Sequence, residues 1–129
     1  MQVEVVSPER ILFSGEATMV ICRTTDGDIA FLANHAPFIG ALGIGKVEIH
    51  GEGGQVIRAA VHGGFVEVSH NAVTILSDVA ELAEQIDAQR AEQARQRAES
   101  EVSRAGEPDE EALAALRRAE VRLDLAASS

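Results

Sequence analysis

The sequence predicts an α+β protein, an N-terminal antiparallel β-sandwich (residues 1–83) followed by a C-terminal two-helix antiparallel hairpin (residues 84–129). Three observations carry that reading. Ten of the eleven glycines and all four phenylalanines fall in residues 1–83. Apolar residues recur there with a period of two and afterwards with a period near 3.5. After residue 83 only Gly106 and Pro108 interrupt helical sequence.

The strands come first. Residues 3–6, 19–24, 46–50, 55–61, 65–68 and 72–76 are β-branched runs, most of them alternating apolar with polar. Such runs make strands with one face wet. Ser7-Pro8, Asp26-Gly27-Asp28, the glycine-rich stretch 51–54, Gly63-Gly64 and His70-Asn71 supply turns between them. Many short strands with no intervening helix point to an antiparallel sandwich or barrel.

The helices follow. Ala91, Ala94, Ala98, Val102 and Ala105 step by three and four, as do Ala112, Leu116, Ala119, Leu123 and Ala126. Gly106 suits the end of one helix. Pro108 suits the first turn of the next, with Asp109, Glu110 and Glu111 at its positive dipole end. The seam is mostly alanine, and a buried methyl is worth about 0.8 kcal/mol against about 1.5–3 for a buried leucine or isoleucine. The hairpin is therefore expected to be weakly held, and a weakly held element is one that a ligand or partner can move.

Composition removes several functions. The formal charge is −10 and there is no Trp or Tyr. Nucleic-acid binders carry a basic footprint and stacking aromatics, so that class is excluded, and acidic membrane surfaces are disfavoured. Cys22 is the single cysteine, so no internal disulfide forms. The four histidines and that cysteine are scattered, and no metal site is expected. Met1-Gln2-Val3-Glu4 has neither a basic nor an apolar leader region, and no run reaches the roughly 20 apolar residues of a bilayer span.

Residues 40–46 fit the phosphate-loop spacing GxxxxGK, but Val47 follows where a hydroxyl is needed, and a strand follows where a helix is needed. These glycines are read as turns of the sandwich. His35 lies in the polar turn Asn34-His35-Ala36-Pro37 and has no partner arrangement for nucleophilic catalysis. Asp26 and Asp28 read as turn residues presenting negative charge, and Cys22 as an inert core residue. His50, His62 and His70 receive no role beyond strand or turn positions.

The arginines carry more. Arg90 and Arg97, seven apart, share one face of the first helix, and Arg118 and Arg122, four apart, share one face of the second. A hairpin can gather all four around one anion, since guanidinium forks match phosphate oxygens. Asp87, one turn earlier, could orient an arginine or accept from a base or ribose. The competing reading is a solvated surface with ion pairs to Glu92, Glu99 and Glu120.

Four stretches in register resemble the epsilon subunit of F-type, proton-translocating ATP synthases. They are Val5-Val6-Ser7-Pro8 with Phe13-Ser14-Gly15, residues 27–37, residues 62–68 and residues 73–78. The resemblance implies a non-catalytic rotor-stalk subunit whose sandwich binds the gamma subunit and the c-ring. It implies a mobile hairpin that, when extended, touches beta subunits and inhibits ATP hydrolysis. Asp26, Asp28, His35, Ala36 and Pro37 are then the expected rotor contacts. Some bacterial members bind ATP on the folded hairpin. Their motif falls on Ile86, Asp87, Arg90 and Ala91, with further positions on Glu81, Arg97, Arg118 and Arg122. On this resemblance ATP is a regulatory ligand, no cofactor is required, and the location is the cytoplasmic face of a bacterial plasma membrane, reached through partners. The alternative is a small sandwich module with a helical arm in another assembly, separable by whether it co-purifies with a gamma-like subunit.

Overall fold

A computed structural model describes residues 1–104, 106 and 109–128, the last without its side chain. Among these residues the strands are β1 (Gln2–Val6), β2 (Ile11–Glu16), β3 (Met19–Thr24), β4 (Gly27–Leu32), β5 (Phe38–His50), β6 (Val56–His62), β7 (Phe65–Ser69), β8 (Ala72–Leu76) and β9 (Ala80–Leu82). A 3₁₀ turn (Ala83–Gln85) leads into α1 (Ala88–Arg104), and α2 (Glu110–Ser128) follows.

The strands form two layers that share one strand. Sheet A runs β2-β1-β8-β7-β5, and sheet B runs β4-β3-β5-β6-β9. β5 belongs to both. Its first residues, Phe38 to Ala41, pair with β7, whereas Ile44 to His50 pair with β6. Gly40, Gly43 and Gly45 thus lie within this strand, not in turns as the sequence reading had them. They permit the crossing: a Cβ on Gly45 would stand 2.6 Å from the Cβ of Arg23. Strands that switch sheets at a corner need such small residues. The ladder is bulged at the same place, advancing from Cys22 to Thr24 on β3 while β5 runs from Val47 back to Leu42.

The sandwich differs from the expected all-antiparallel pattern in one pair, since β1 and β8 are parallel. No hairpin turn joins these two strands, so nothing local sets their relative direction. Between the layers the core is valine-rich and closed by Phe31, Ile49 and Ile75, all at most 2 % exposed. Cys22 is part of it; burial, with Asp28 adding, pushes its thiol up to about 11, so it stays protonated and inert.

α2 lies across the outer face of sheet B, over β5 and β6, and α1 packs on α2. The buried helix residues include Ala91, Ala98, Ala112 and Ala119 on the seam, as the periodicity predicted, and Leu125 at the sandwich side. The helix starts are capped by aspartates. Asp87 Oδ1 accepts the Arg90 N–H at 3.0 Å, and Asp109 Oδ1 accepts the Ala112 N–H at 3.1 Å. Gly106 has φ +64°, as a helix-ending glycine does. Ala105 and Pro108, assigned roles above, lie outside the described residues.

Gly64 holds the β6–β7 turn at φ +112°, where a Cβ would come within 2.0 Å of the Leu76 carbonyl oxygen. Gly64→Ala is expected to lower stability by about 2–4 kcal/mol in urea unfolding, from positive-φ strain plus backbone clash. A loss below 0.5 kcal/mol would contradict this packing.

Candidate anion site between hairpin and sandwich

A cleft of about 620 Å³ opens where α1, α2 and β9 meet. Its walls include Glu81, Asp87, Arg90, Ala91, Arg97 and Arg122, so six of the eight residues expected at a nucleotide site face one space. Ile86 and Arg118 are not among its walls. Ile86 ends the 3₁₀ turn, its N–H donating to the Ala83 carbonyl at 3.2 Å. Arg118 donates to Glu111 along its own helix at 2.9 Å. The gathering of four guanidinium groups therefore becomes three in the cleft and one beside it.

The three are not equivalent. Arg122 Nε donates to Glu81 Oε1 at 2.6 Å, a half-buried ion pair that ties α2 to the edge of sheet B. Among the described residues the side chains of Arg90 and Arg97 have no hydrogen bond or ion pair. The reason lies with Arg95, which the sequence reading passed over. Arg95 collects Glu92 and Glu99, two of the three acids expected to pair with these arginines. Asp87 is oriented by its cap bond and contributes negative charge at the mouth. The result is a polar cleft with two uncommitted guanidinium groups and a third that can exchange partners. Such a site suits a multivalent oxyanion.

His62, given no role in advance, lies under this arrangement. Its side chain is 3 % exposed, and Nε2 is 4.0 Å from Glu81 Oε1. Neither ring nitrogen has a hydrogen-bond partner. Alternation with Arg58 and Ala60 on β6 was the available signal that it faces out of the sandwich.

The expected rotor contacts occupy two ends of the sandwich. Asp26 lies in the β3–β4 turn, and Asp28 stands on β4 itself, accepting from Arg23 Nε at 2.5 Å, which lowers its pKa. His35, Ala36 and Pro37 lie beyond the other end of β4, with the His35 ring edge-on to Phe31 at 4.9 Å. The two groups do not form one patch. An apolar row runs instead across the outer face of sheet A. Ile11, Val6, Leu76, Phe65 and Ala41 are successive cross-strand partners, with Ile11, Leu76 and Phe65 exposed. The Thr25 N–H donates to the Ala41 carbonyl at 3.0 Å, so this row ends beside the Asp26 turn.

Residues 1–83 match the family model for the ATP synthase delta/epsilon chain β-sandwich domain. The chain is 44 % identical over 123 residues to the ATP synthase epsilon chain of Streptomyces avermitilis, covering 95 % of this chain and 92 % of that one. It is 45 % identical over 127 residues to that of Caldicellulosiruptor bescii, covering 97 % and 92 %. The chain belongs to the ATP synthase delta/epsilon family. A chain in the OSCP/F1/c-ring structure of the Euglena gracilis mitochondrial ATP synthase superposes with a TM-score of 0.80 at 26 % identity, covering 98 % of this chain and 80 % of that one. As an epsilon-type subunit of ATP synthase it is non-catalytic. No described helix is long and apolar enough to cross a membrane.

The cap reading of Asp87 separates from a ligand role by substitution. Asp87→Ala is expected to lower the stability of this epsilon-type chain by about 1 kcal/mol, and Asp87→Asn, which also caps, by a few tenths. Equal losses for both, in thermal unfolding, would put the carboxylate charge rather than the cap in control.

Proposed function

We propose that this chain couples the c-ring to the gamma subunit in the rotor, and that its hairpin is a nucleotide-held brake on ATP hydrolysis. The observation that carries the second part is the uncommitted pair Arg90 and Arg97 facing Arg122 across one cleft. ATP bound there joins α1, α2 and β9, whose fully buried apolar side chains are alanines and Leu125. It thereby favours the compact form. Leaving that form carries Arg122 away from Glu81 and opens the cleft. A ligand shifts such an equilibrium only by its differential affinity for the two forms, and the open form has no complete site. When ATP is scarce the hairpin extends, reaches beta subunits and inhibits hydrolysis.

The apolar row on sheet A is the surface assigned to the gamma subunit, because contiguous exposed apolar area on a soluble chain marks a protein interface. The Asp26 turn at its end is assigned to the c-ring, with Asp28, His35, Ala36 and Pro37 as further rotor contacts. The chain then sits on the cytoplasmic face of the bacterial plasma membrane, held there by its partners.

Calorimetric titration with ATP tests the brake. One-to-one binding is expected, weakened at least tenfold in Arg90→Ala and Arg97→Ala, since each removes charge-assisted bonds worth about 1.5–3 kcal/mol. Arg118→Ala, whose side chain is paired outside the cleft, is expected to weaken binding less. Unchanged affinity in all three variants would overturn the assignment of the cleft to ATP.

A further inference from the structure

The hairpin covers a histidine that is 3 % exposed and has no hydrogen-bond partner on either ring nitrogen. His62 ends β6 on the outer face of sheet B, opposite Ile44 on β5 and under α2. The charged groups around it come from every neighbouring element. β5 presents Lys46 and Glu48 on the same face, and β6 itself presents Arg58, which Glu48 holds at 2.8 Å. Glu81 approaches from β9, Arg118 and Arg122 act on it from α2, and Asp87, Arg90 and Arg97 line the adjoining cleft. Glu81 is the acid that approaches the ring, at 4.0 Å, and Arg122 already holds it at 2.6 Å.

We propose that His62 is a proton-operated latch: the hairpin docks over the neutral imidazole, and protonation of His62 releases it. A buried imidazolium would need two acceptors, and neither ring nitrogen has one. It would also stand among arginines, with the Glu81 carboxylate shared. Burial first, then Arg122 and Arg118 against the opposing pull of Glu81, lowers the His62 pKa to about 4. Undocking exposes the ring and removes both arginines, returning it toward the ordinary value near 6.5. The open form therefore binds the proton more tightly. The latch is fully closed above about pH 6.5, and the open-to-docked ratio rises about tenfold per pH unit from there down to about pH 4.

The latch rests on the hairpin being a separable arm, not on nucleotide binding, so the calorimetric test above can fail while this one holds. Glu67→Cys on sheet A and Gln96→Cys on α1 give exposed sites for spin labels, while Cys22 stays buried. Distance distributions of the full chain are compared at pH 7.5 and 5.5. The fraction with the long distance is expected to rise about tenfold in open-to-docked ratio, and to lose that rise in His62→Gln. An equal rise in His62→Gln would overturn the latch. Imidazole NMR of the unlabelled chain decides where the open fraction is too small to see. His62 is expected to remain neutral through pH 6 with the hairpin docked. A titration midpoint between 6 and 7 without undocking would overturn it.

Discussion

The seating of α2 on the outer face of sheet B is the contact on which the rest depends. It forms one wall of the cleft, brings Arg122 to Glu81 and closes over His62. Its fully buried apolar side chains are few. The sandwich buries valines, Phe31, Ile49 and Ile75 between its layers, at about 1.5–3 kcal/mol for each large side chain. The hairpin buries Ala91, Ala98, Ala112 and Ala119 along its seam, near 0.8 kcal/mol per methyl, and Leu125 at the sandwich. The two halves thus differ in how firmly they are held, and the difference is set by side-chain size.

What the docking surface lacks in apolar area it has in polar specificity. Lys46, Glu48, Arg58, His62 and Glu81 lie on the face that α2 covers. Charged surfaces of this kind add little net stability, because desolvation offsets attraction, but they penalise misplacement. A half-turn rotation of α2 about its axis would strand Glu81 without Arg122. The interface is therefore well defined when formed and weakly held, which is the combination the proposed regulated arm requires.

Much of this was legible in the sequence. The change of period near residue 83, the alanine seam and the arginine pairs all follow from spacing. Glycine misled in one place: residues 40–45 read as turns because glycine usually breaks strands, yet here it lets β5 cross from one sheet to the other. β2 and β4 do not alternate apolar with polar in sequence, and β9 is three residues long, so none of the three stood out as a strand. Arg118 was grouped with Arg122 by helical spacing alone. Spacing cannot show that Glu111 takes it or that Arg95 takes Glu92 and Glu99. His62 was illegible as an interface residue until α2 was known to lie over β6.

Native-state hydrogen exchange of the full chain tests the central claim most directly, because it reads the stability of hairpin and sandwich separately in one molecule. The account predicts that amides of α1 and α2 exchange through an opening several kcal/mol less costly than global unfolding, while β3, β6 and β8 exchange only on global unfolding. Helix amides as protected as those central strands would contradict it, and the hairpin would then be an integral part of one cooperative fold.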